Sequence, residues 1–264
     1  YEILLSLSCM TPIQFSHANG FPAASYRTFF EALAPHPVHA VPAFGMGDFQ
    51  IKRDWWPLAD ELIAHIESHG NYPVVGIGHS LGGMVTLWAA MKRPDLFTHI
   101  ILMDPPALGF VRRFFMHMAR SVGILDQLPT VVKKAKNRKD HFKDKAEAFS
   151  YWKGKSLFRN FDPQAFQDYV DAGLTPHPRD GYTLTIPREL EAQIFSSIPF
   201  NFQYRPLPQP AFYILPEHTV LSPKEQKEVV RVFKDFTFIR TEGGHLFPLE
   251  NPPAAADLIK GLIQ

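Results

Sequence analysis

The chain has 264 residues, of which 45% are hydrophobic and 20% charged, a composition that is typical of a globular protein and excludes a disordered one. The formal net charge of +1 gives no reason to expect a nucleic acid as partner, and no apolar run approaches the length of a membrane span. The single cysteine, Cys9, excludes an intrachain disulfide framework and a multi-cysteine metal site, and it favours a reducing, cytoplasmic compartment.

Strand and helix patterns alternate in the first and last parts of the chain. Residues 1–9 are interpreted as a strand at a processing boundary rather than as a signal peptide. Further strands are predicted at residues 13–17, 38–41, 73–77, 99–103, 211–215 and 236–240. Helices are predicted at 55–68, 223–233 and 252–263, with Asp54 and Asn251 as caps and Gly70 as a stop signal. Alternation of this kind predicts an α/β fold with a doubly wound, mostly parallel sheet.

The alternation stops at the double proline that follows Asp104. From residue 107 to about 208 no buried strand is evident, and only helical patterns appear, at 110–122, 131–139, 143–152, 163–172 and 188–196. We therefore expect an α/β core made of residues 1–106 and 209–264, interrupted by a helical cap insertion at 107–208.

A Gly-x-Ser-x-Gly pentapeptide stands at residues 78–82, between the apolar run 73–77 and a helical pattern. In that context a sharp strand-to-helix turn exposes the central side chain above the sheet, at the N-terminus of a helix that favours negative charge. The pattern therefore predicts that Ser80 is a nucleophile, the alternative being a tight turn with a solvent-exposed serine.

A serine nucleophile needs a base and donors for the oxyanion that its attack creates. Of the twelve histidines, His245 follows the last predicted strand on a glycine-supported loop, at the sheet edge where Ser80 is expected. His218 is a minor alternative, His17 and His79 adjoin the site, and the remaining histidines, including His141 and His177, are interpreted as helix-surface or loop residues. The expected oxyanion donors are the backbone N–H groups of Leu81, directly after the serine, and of Phe21, after Gly20 in the loop that leaves the first core strand.

These motifs resemble those of the α/β-hydrolase superfamily, specifically its cap-bearing members related to esterases and serine-type haloperoxidases. The resemblance rests on the oxyanion loop 17–22, the nucleophile elbow 78–82 and the C-terminal segments 244–245 and 250–252, and the insertion lies where that family places its cap. It supports the fold and the roles of Ser80 and His245, but it does not specify a substrate.

One position departs from the family pattern. The resemblance implies an Asp shortly after the penultimate strand as the third catalytic residue, but Thr219 stands there. Asp104, at an alternative position that some members of the family use, and Glu217, in the expected loop, are both candidates for the acid. Asp104 could instead only cap the turn into Pro105, and the site could lack a functional acid altogether.

The insertion carries many large apolar side chains, which either line an apolar substrate pocket or bury the insertion against the core. They are Phe110, Phe114, Phe115, Met116, Met118, Phe149, Trp152, Phe158, Phe161, Phe166 and Phe195. The basic segment 133–139 is either a solvated helix face or a site for an acidic substrate group, such as a coenzyme A phosphate.

The leading hypothesis is a serine hydrolase, without metal or other cofactor, that cleaves carboxylic esters of small to medium, largely apolar substrates through an acyl-enzyme. The alternatives are a thioesterase or carbon–carbon bond hydrolase with the same residues, and a ligand-binding receptor or scaffold with weak residual hydrolysis. A small-molecule ester is the expected partner, and the oligomeric state is open.

Overall fold

The computed structural model describes residues 10–107, 109–124, 131–199 and 203–263, so the strand predicted for residues 1–9 lies outside the described residues. The strands are β1 (Ile13–Ser16), β2 (Val38–Ala40), β3 (Val74–His79), β4 (Phe97–Met103), β5 (His141–Phe142), β6 (Leu174–Pro176), β7 (Tyr182–Leu184), β8 (Ala211–His218) and β9 (Thr237–Gly244). The helices are α1 (Arg27–Ala32), α2 (Trp56–His69), α3 (Leu81–Lys92), α4 (Phe110–Ser121), α5 (Val131–Lys136), α6 (Lys145–Lys153), α7 (Pro163–Ala172), α8 (Arg188–Ser196), α9 (Pro223–Val232), α10 (Phe247–Glu250) and α11 (Pro252–Leu262), with short 3₁₀ turns at Ala23–Tyr26, Pro94–Leu96 and Ser156–Phe158.

The core is a six-stranded sheet in the order β2-β1-β3-β4-β8-β9. Each neighbouring pair of these strands runs parallel, which confirms the predicted fold class. Because parallel strands share one carboxyl edge, the loops after β1, β3, β4, β8 and β9 meet there.

Both faces of this sheet are covered, as the continuous apolar runs of its central strands predict. On β4, Ile100 packs into one apolar cluster and its neighbour Ile101 into another, and both side chains are fully buried. The first cluster includes Leu58 of α2 and Trp88 of α3, and the second includes Ile259 of α11. The core therefore has a layer of helices on each side of the sheet.

The predicted end signals of two helices are confirmed. Gly70 follows α2 in the left-handed conformation, with φ 67°, which only glycine adopts without strain. The side chain of Asn251 accepts a hydrogen bond from the N–H of Ala254 and so caps α11.

The chain between β4 and β8 forms helices α4 to α8, as the sequence predicts, together with a small antiparallel sheet in the order β5-β7-β6 that it does not. These strands are only two or three residues long, too short to produce a readable alternation of apolar and polar residues. Trp152 and Phe158 of this segment are buried in the same cluster as Phe15 of β1, so the insertion packs directly on the core.

Among the described residues, no helix combines the length and the apolar character that crossing a lipid bilayer requires.

Candidate active site

The turn between β3 and α3 places Ser80 above the carboxyl edge of the sheet. Ser80 has φ 53°, in the left-handed region that side-chain-bearing residues rarely adopt. The neighbouring glycines make this turn possible: a Cβ on Gly78 would lie 2.3 Å from the carbonyl oxygen of Gly82, and a Cβ on Gly82 would lie 2.0 Å from that of Ser16. Ser80 therefore lies on a bend that requires glycine at positions 78 and 82.

Three side chains from distant parts of the chain form a continuous hydrogen-bonded series. His245 Nε2 lies 3.0 Å from Ser80 Oγ, and His245 Nδ1 lies 2.7 Å from Asp104 Oδ2. Asp104 is fully buried at the end of β4, whereas the His245 side chain is 24% exposed. Since a carboxylate only accepts, His245 Nδ1–H donates to Asp104 and leaves Nε2 to accept from the Ser80 hydroxyl.

The Asp104 carboxylate is held by the loop that follows β8. Thr219 Oγ1 donates a hydrogen bond to Asp104 Oδ1, and the N–H of Val220 donates to Oδ2 at 3.2 Å. Asp104 itself has φ 43°, a conformation that aspartate tolerates better than most residues. Glu217 is exposed on β8, so the structure brings Asp104 and not Glu217 to His245.

The His245 loop is anchored from α10. The N–H of Gly244 donates to Glu250 Oε2 at 2.7 Å, and a Cβ on Gly244 would lie 2.7 Å from Glu250 Oε1. Glu250 thus fixes the backbone of the residue before His245 from the segment 250–252.

His79, the residue before the serine, also supports the His245 loop. His79 Nε2 lies 2.8 Å from the carbonyl oxygen of His245, and His79 Nδ1 lies 2.7 Å from the hydroxyl of Tyr26. Burial, and then the neighbouring His245, lower the pKa of His79 to about 3, so its ring is neutral. Because a carbonyl only accepts, His79 Nε2–H donates to the carbonyl oxygen of His245, and the Tyr26 hydroxyl donates to His79 Nδ1. The Tyr26 oxygen in turn accepts from the N–H of Ala18 at 3.3 Å.

The oxyanion loop is tied to the core through His17. Its Nδ1–H donates to the carbonyl oxygen of Ala18 at 2.8 Å, and its Nε2 accepts from the N–H of Phe44 at 2.9 Å. Burial lowers the pKa of His17 to about 4, so it too is neutral. Of the two predicted oxyanion donors, the N–H of Phe21 already donates to Ala18 O at 3.1 Å. The N–H of Leu81 lies in the first turn of α3, where a backbone N–H has no acceptor within the helix.

The insertion contacts the oxyanion loop through Asn19. Asn19 Nδ2 donates to the carbonyl oxygen of Glu191 on α8 at 3.0 Å. The Glu191 side chain pairs with Arg138 at 2.7 Å, and Arg138 also donates to the hydroxyl of Tyr169. This ion pair lies against Gly20, where a Cβ would come 3.0 Å from the Glu191 carboxyl group. The insertion and the oxyanion loop are therefore joined by charged and polar contacts.

A cavity of about 140 Å³ opens beside Ser80 and His245. Except for Asn19, its other lining residues are apolar: Trp55, Leu81, Pro106, Val131, Ile194, Phe195, Ile198 and Val220. A second cavity of about 50 Å³ shares Trp55, Pro106 and Ile198 with it. The walls come from both the core and the insertion, so the insertion forms one side of the site.

The aromatic side chains of the insertion mostly lie elsewhere. Phe195 is the one member of the predicted set that lines the cavity beside Ser80, within the described residues. Trp152, Phe158 and Phe166 are buried in the cluster that contains Phe21. Phe114, Phe115 and Met118 are exposed on α4, and the side chain of Phe110 lies outside the described residues.

Two contributors to the site were not identified from sequence, namely Tyr26 and the hydroxyl of Thr219. Neither belongs to a local motif, because each acts through a partner more than 50 residues away. The threonine at the expected acid position was the one signal in the sequence that could have identified Thr219, because its hydroxyl can donate to a carboxylate from another strand.

A parallel sheet with a serine at the β3–α3 turn and an imidazole beside it is the architecture of an α/β hydrolase. The chain belongs to the alpha/beta hydrolase family, whose model matches residues 15–258.

Its relatives include several hydrolases. A Mycoplasma pneumoniae protein whose name proposes an esterase/lipase is 27% identical over 217 residues, which are 80% of this chain and 69% of that protein. Peroxisomal membrane protein LPX1 of Saccharomyces cerevisiae is 30% identical over 124 residues, which are 45% of this chain and 31% of that protein. The structure of an E-2-(acetamidomethylene)succinate hydrolase superposes with a TM-score of 0.75 at 19% identity, covering 96% of this chain and 91% of that one, and so shares its fold.

Proposed function

We propose that this chain is a serine hydrolase that cleaves carboxylic esters of small to medium, largely apolar substrates through an acyl-enzyme. The observation that supports this most is the hydrogen-bonded series from Ser80 through His245 to Asp104, at 3.0 and 2.7 Å. Such a series supplies the nucleophile, the base and the carboxylate that ester hydrolysis at a serine requires.

In the first half-reaction the Ser80 oxygen attacks the ester carbonyl as His245 Nε2 takes the hydroxyl proton. Asp104 stabilises the imidazolium that forms and holds the ring in the tautomer with Nδ1 protonated. The tetrahedral intermediate then collapses, the alcohol leaves with the proton from His245, and an acyl group remains on Ser80. Water, activated by His245, releases the acid and restores the serine.

The oxyanion is assigned to the N–H groups of Leu81 and Phe21. The N–H of Leu81 lies at the start of α3, where the helix dipole also favours negative charge. The N–H of Phe21 donates to Ala18 O at 3.1 Å, and a developing oxyanion competes for this donor because hydrogen bonds to a charged acceptor are stronger than those to a neutral carbonyl. His17 already donates to the same carbonyl, so Ala18 O keeps a partner when Phe21 turns toward substrate.

The size and lining of the cavity support a short apolar acyl group. An apolar cavity of about 150 Å³ holds a molecule of the size of benzene, so the roughly 140 Å³ beside Ser80 suits an acyl chain of about four to six carbons. The neutral His79 beneath His245 adds no positive charge that would disfavour the imidazolium.

Labelling with a fluorophosphonate tests this proposal directly. The Ser80 oxygen attacks phosphorus and displaces fluoride, leaving a stable covalent adduct. We expect one adduct per chain, mapped by mass spectrometry to the peptide that contains Ser80 and absent in Ser80→Ala. An adduct on another residue, or none on a folded wild-type protein, would overturn the proposal.

Thioester hydrolysis by the same residues is a second candidate, favoured by the position of α5. Its first residue, Val131, lines the cavity, and the following turns carry Lys133, Lys134 and Lys136. Cations beside the mouth of the site could contact an acidic substrate tail such as that of coenzyme A. Comparing kcat/KM for p-nitrophenyl butyrate and butyryl-coenzyme A, in wild type and in Lys133→Gln/Lys134→Gln, distinguishes the two: a loss confined to the thioester would support the second candidate.

A threonine at position 219, where the resemblance implies an acid, would fit a receptor with little catalysis. The contact of Thr219 with Asp104, which itself reaches His245, favours an enzyme instead. A receptor would bind ligand with residual hydrolysis that Asp104→Asn leaves unchanged, whereas an enzyme would lose turnover. Carbon–carbon bond hydrolysis is distinguished by including a vinylogous β-diketone in the substrate panel.

A further inference from the structure

The small sheet of the insertion carries a cluster of metal-binding side chains that the catalytic proposal does not use. His141, His177 and Asp180 each present one ligand atom within 4.8 Å of the others. His141 begins β5, while His177 and Asp180 lie in the turn between β6 and β7. We propose that these three side chains bind a divalent transition-metal ion, of the class of Zn²⁺ or Co²⁺, and so clamp β5 to the β6–β7 hairpin.

The backbone around the cluster has a defined geometry. His141 pairs with Thr183 across the β5–β7 ladder, and the N–H of His177 donates to the carbonyl oxygen of Gly181 at 2.9 Å, closing the turn. Gly181 has φ 63°, and a Cβ there would lie 2.3 Å from the carbonyl oxygen of Phe142. The turn is thus pressed against β5 at a point where only glycine fits, which keeps the ligands of the two segments together.

The ligand set selects the class of ion. Two imidazoles and one carboxylate suit Zn²⁺, Co²⁺, Ni²⁺ or Cu²⁺, whereas Ca²⁺ and Mg²⁺ prefer oxygen ligands. Ligand atoms around a tetrahedral Zn²⁺ are about 3.3 Å apart, given Zn–N distances of about 2.0–2.1 Å. The three ligand atoms, within 4.8 Å of one another, must therefore approach by about 1.5 Å to bind such an ion.

The groups around the cluster allow this rearrangement at small cost. The two rings meet edge to face with centroids 5.2 Å apart. His177 Nδ1 accepts a weak hydrogen bond, 3.3 Å long, from the N–H of Arg179. A metal ion bound to His177 Nε2 would require the ring proton to move to Nδ1, and this would release the contact. The nearby Glu147 carboxylate accepts hydrogen bonds from Lys139 and from the N–H of Lys143, so we do not include it among the metal ligands. Water would occupy the remaining coordination positions of the ion.

A second histidine cluster provides a matched comparison. The ring centroid of His69 lies 4.6 Å from that of His39 on β2 and 4.5 Å from that of His65, which shares α2 with His69. There Nδ1 of His65 faces Gln14 Oε1 at 3.1 Å and Nδ1 of His69 faces the carbonyl oxygen of His65 at 2.8 Å. These bonds leave the Nε2 atoms free, but among the described residues only His141, His177 and Asp180 bring three ligand atoms within 4.8 Å of one another, so the second cluster serves as the comparison.

Titration of the full chain with Co²⁺, followed by visible d–d absorption, tests the proposal. We expect one Co²⁺ per chain, displaced by Zn²⁺, with affinity lowered at least tenfold in His141→Gln and in His177→Gln, and lowered in Asp180→Asn, while His69→Gln binds as wild type does. Saturating Zn²⁺, at about 100 times its Kd, should raise the Tm of wild type by roughly 5 °C and leave that of His141→Gln/His177→Gln unchanged. His141, Asp180 and His69 are exposed and His177 is half-buried, so the variants are expected to fold, and far-UV circular dichroism checks this.

Co²⁺ binding that persists in the folded double variant, or that disappears in His69→Gln, would overturn the proposal, as would the absence of binding to wild type. None of these readouts depends on hydrolysis. A failure of the metal site and a failure of the proposed esterase activity are therefore distinguishable.

Discussion

Thr219 Oγ1 donates a hydrogen bond to the fully buried Asp104, and Asp104 in turn accepts from His245 Nδ1. The threonine occupies the position where the resemblance implies the acid, and we propose that Asp104, directly after the neighbouring strand β4, takes that role. The parallel pairing of β4 with β8 brings the carboxyl ends of the two strands side by side, at the edge of the sheet where His245 lies. We propose that the Thr219 hydroxyl orients the Asp104 carboxylate toward His245.

Replacing Thr219 with valine should therefore weaken catalysis without removing it. The variant keeps the shape of the side chain but loses one hydrogen bond to a charged group, and we expect kcat to fall about tenfold with little change in KM. Steady-state kinetics on p-nitrophenyl butyrate measures this, with Thr175→Val on exposed β6 as the control. An unchanged kcat in Thr219→Val would show that the contact is not needed to orient Asp104.

Asp104→Asn should have a much larger effect. Asparagine adopts the φ of 43° readily, so the fold is retained, but a neutral amide does not stabilise the imidazolium, and loss of the equivalent carboxylate in serine proteases lowers kcat about 10⁴-fold. Glu217→Gln, one strand away and exposed, is the matched control and should keep full activity. If Glu217→Gln rather than Asp104→Asn lowered kcat by this amount, Glu217 would have to be assigned as the acid.

Tyr26→Phe should affect both stability and turnover. The substitution leaves the buried His79 Nδ1 and the N–H of Ala18 without their partner, and we expect it to lower the free energy of unfolding by about 1–3 kcal/mol. Because His79 holds the carbonyl of His245, kcat should fall while KM changes little. Urea denaturation and kinetics are compared with Tyr72→Phe, at a position that is 48% exposed. A loss of stability with full kcat would make Tyr26 structural only.

Acyl-chain selectivity should depend on the wall between the two cavities. With about 140 Å³ beside Ser80, the wild type should prefer butyrate and hexanoate esters to longer ones. Ile198 lines both cavities, so Ile198→Ala should join them and move the optimum to a longer chain. A series of p-nitrophenyl esters measures kcat/KM for each length, with the exposed Leu157→Ala as control. An unaltered profile in Ile198→Ala would place the acyl group elsewhere.

The neutral histidines should make the protein sensitive to mild acid. Burial lowers the pKa of His17 from 6.5 to about 4, so the unfolded chain takes up this proton first and the free energy of unfolding falls as the pH drops from 6.5 toward 4. At pH 5 the loss from His17 is about 2 kcal/mol relative to pH 7.5, and His79 adds a loss of similar size.

Urea denaturation at pH 7.5 and pH 5 checks this dependence. The difference between the two free energies of unfolding should shrink in His17→Gln, since that side chain does not titrate, and should be unchanged in the exposed His218→Gln. Equal pH dependence in all three proteins would mean that His17 remains accessible to protons in the folded state.

The amino-acid sequence determined the class of fold and the two residues on which the proposed chemistry depends. Apolar runs that alternate with helical patterns require a parallel sheet, and the glycines around Ser80 permit only one kind of turn, so these conclusions follow from local stereochemistry. The helix ends at Gly70 and Asn251 were predictable for the same reason.

The partner of His245, the neutral His79 with its donor Tyr26, and the identity of the cavity walls were decided only by the tertiary structure. Each is a contact between segments that are far apart in sequence, and nothing in the local pattern around Asp104 or Glu217 says which of them faces the imidazole. That contact depends on how the ends of β4 and β8 lie in the sheet, since a strand that slips by one residue turns its side chains to the other face.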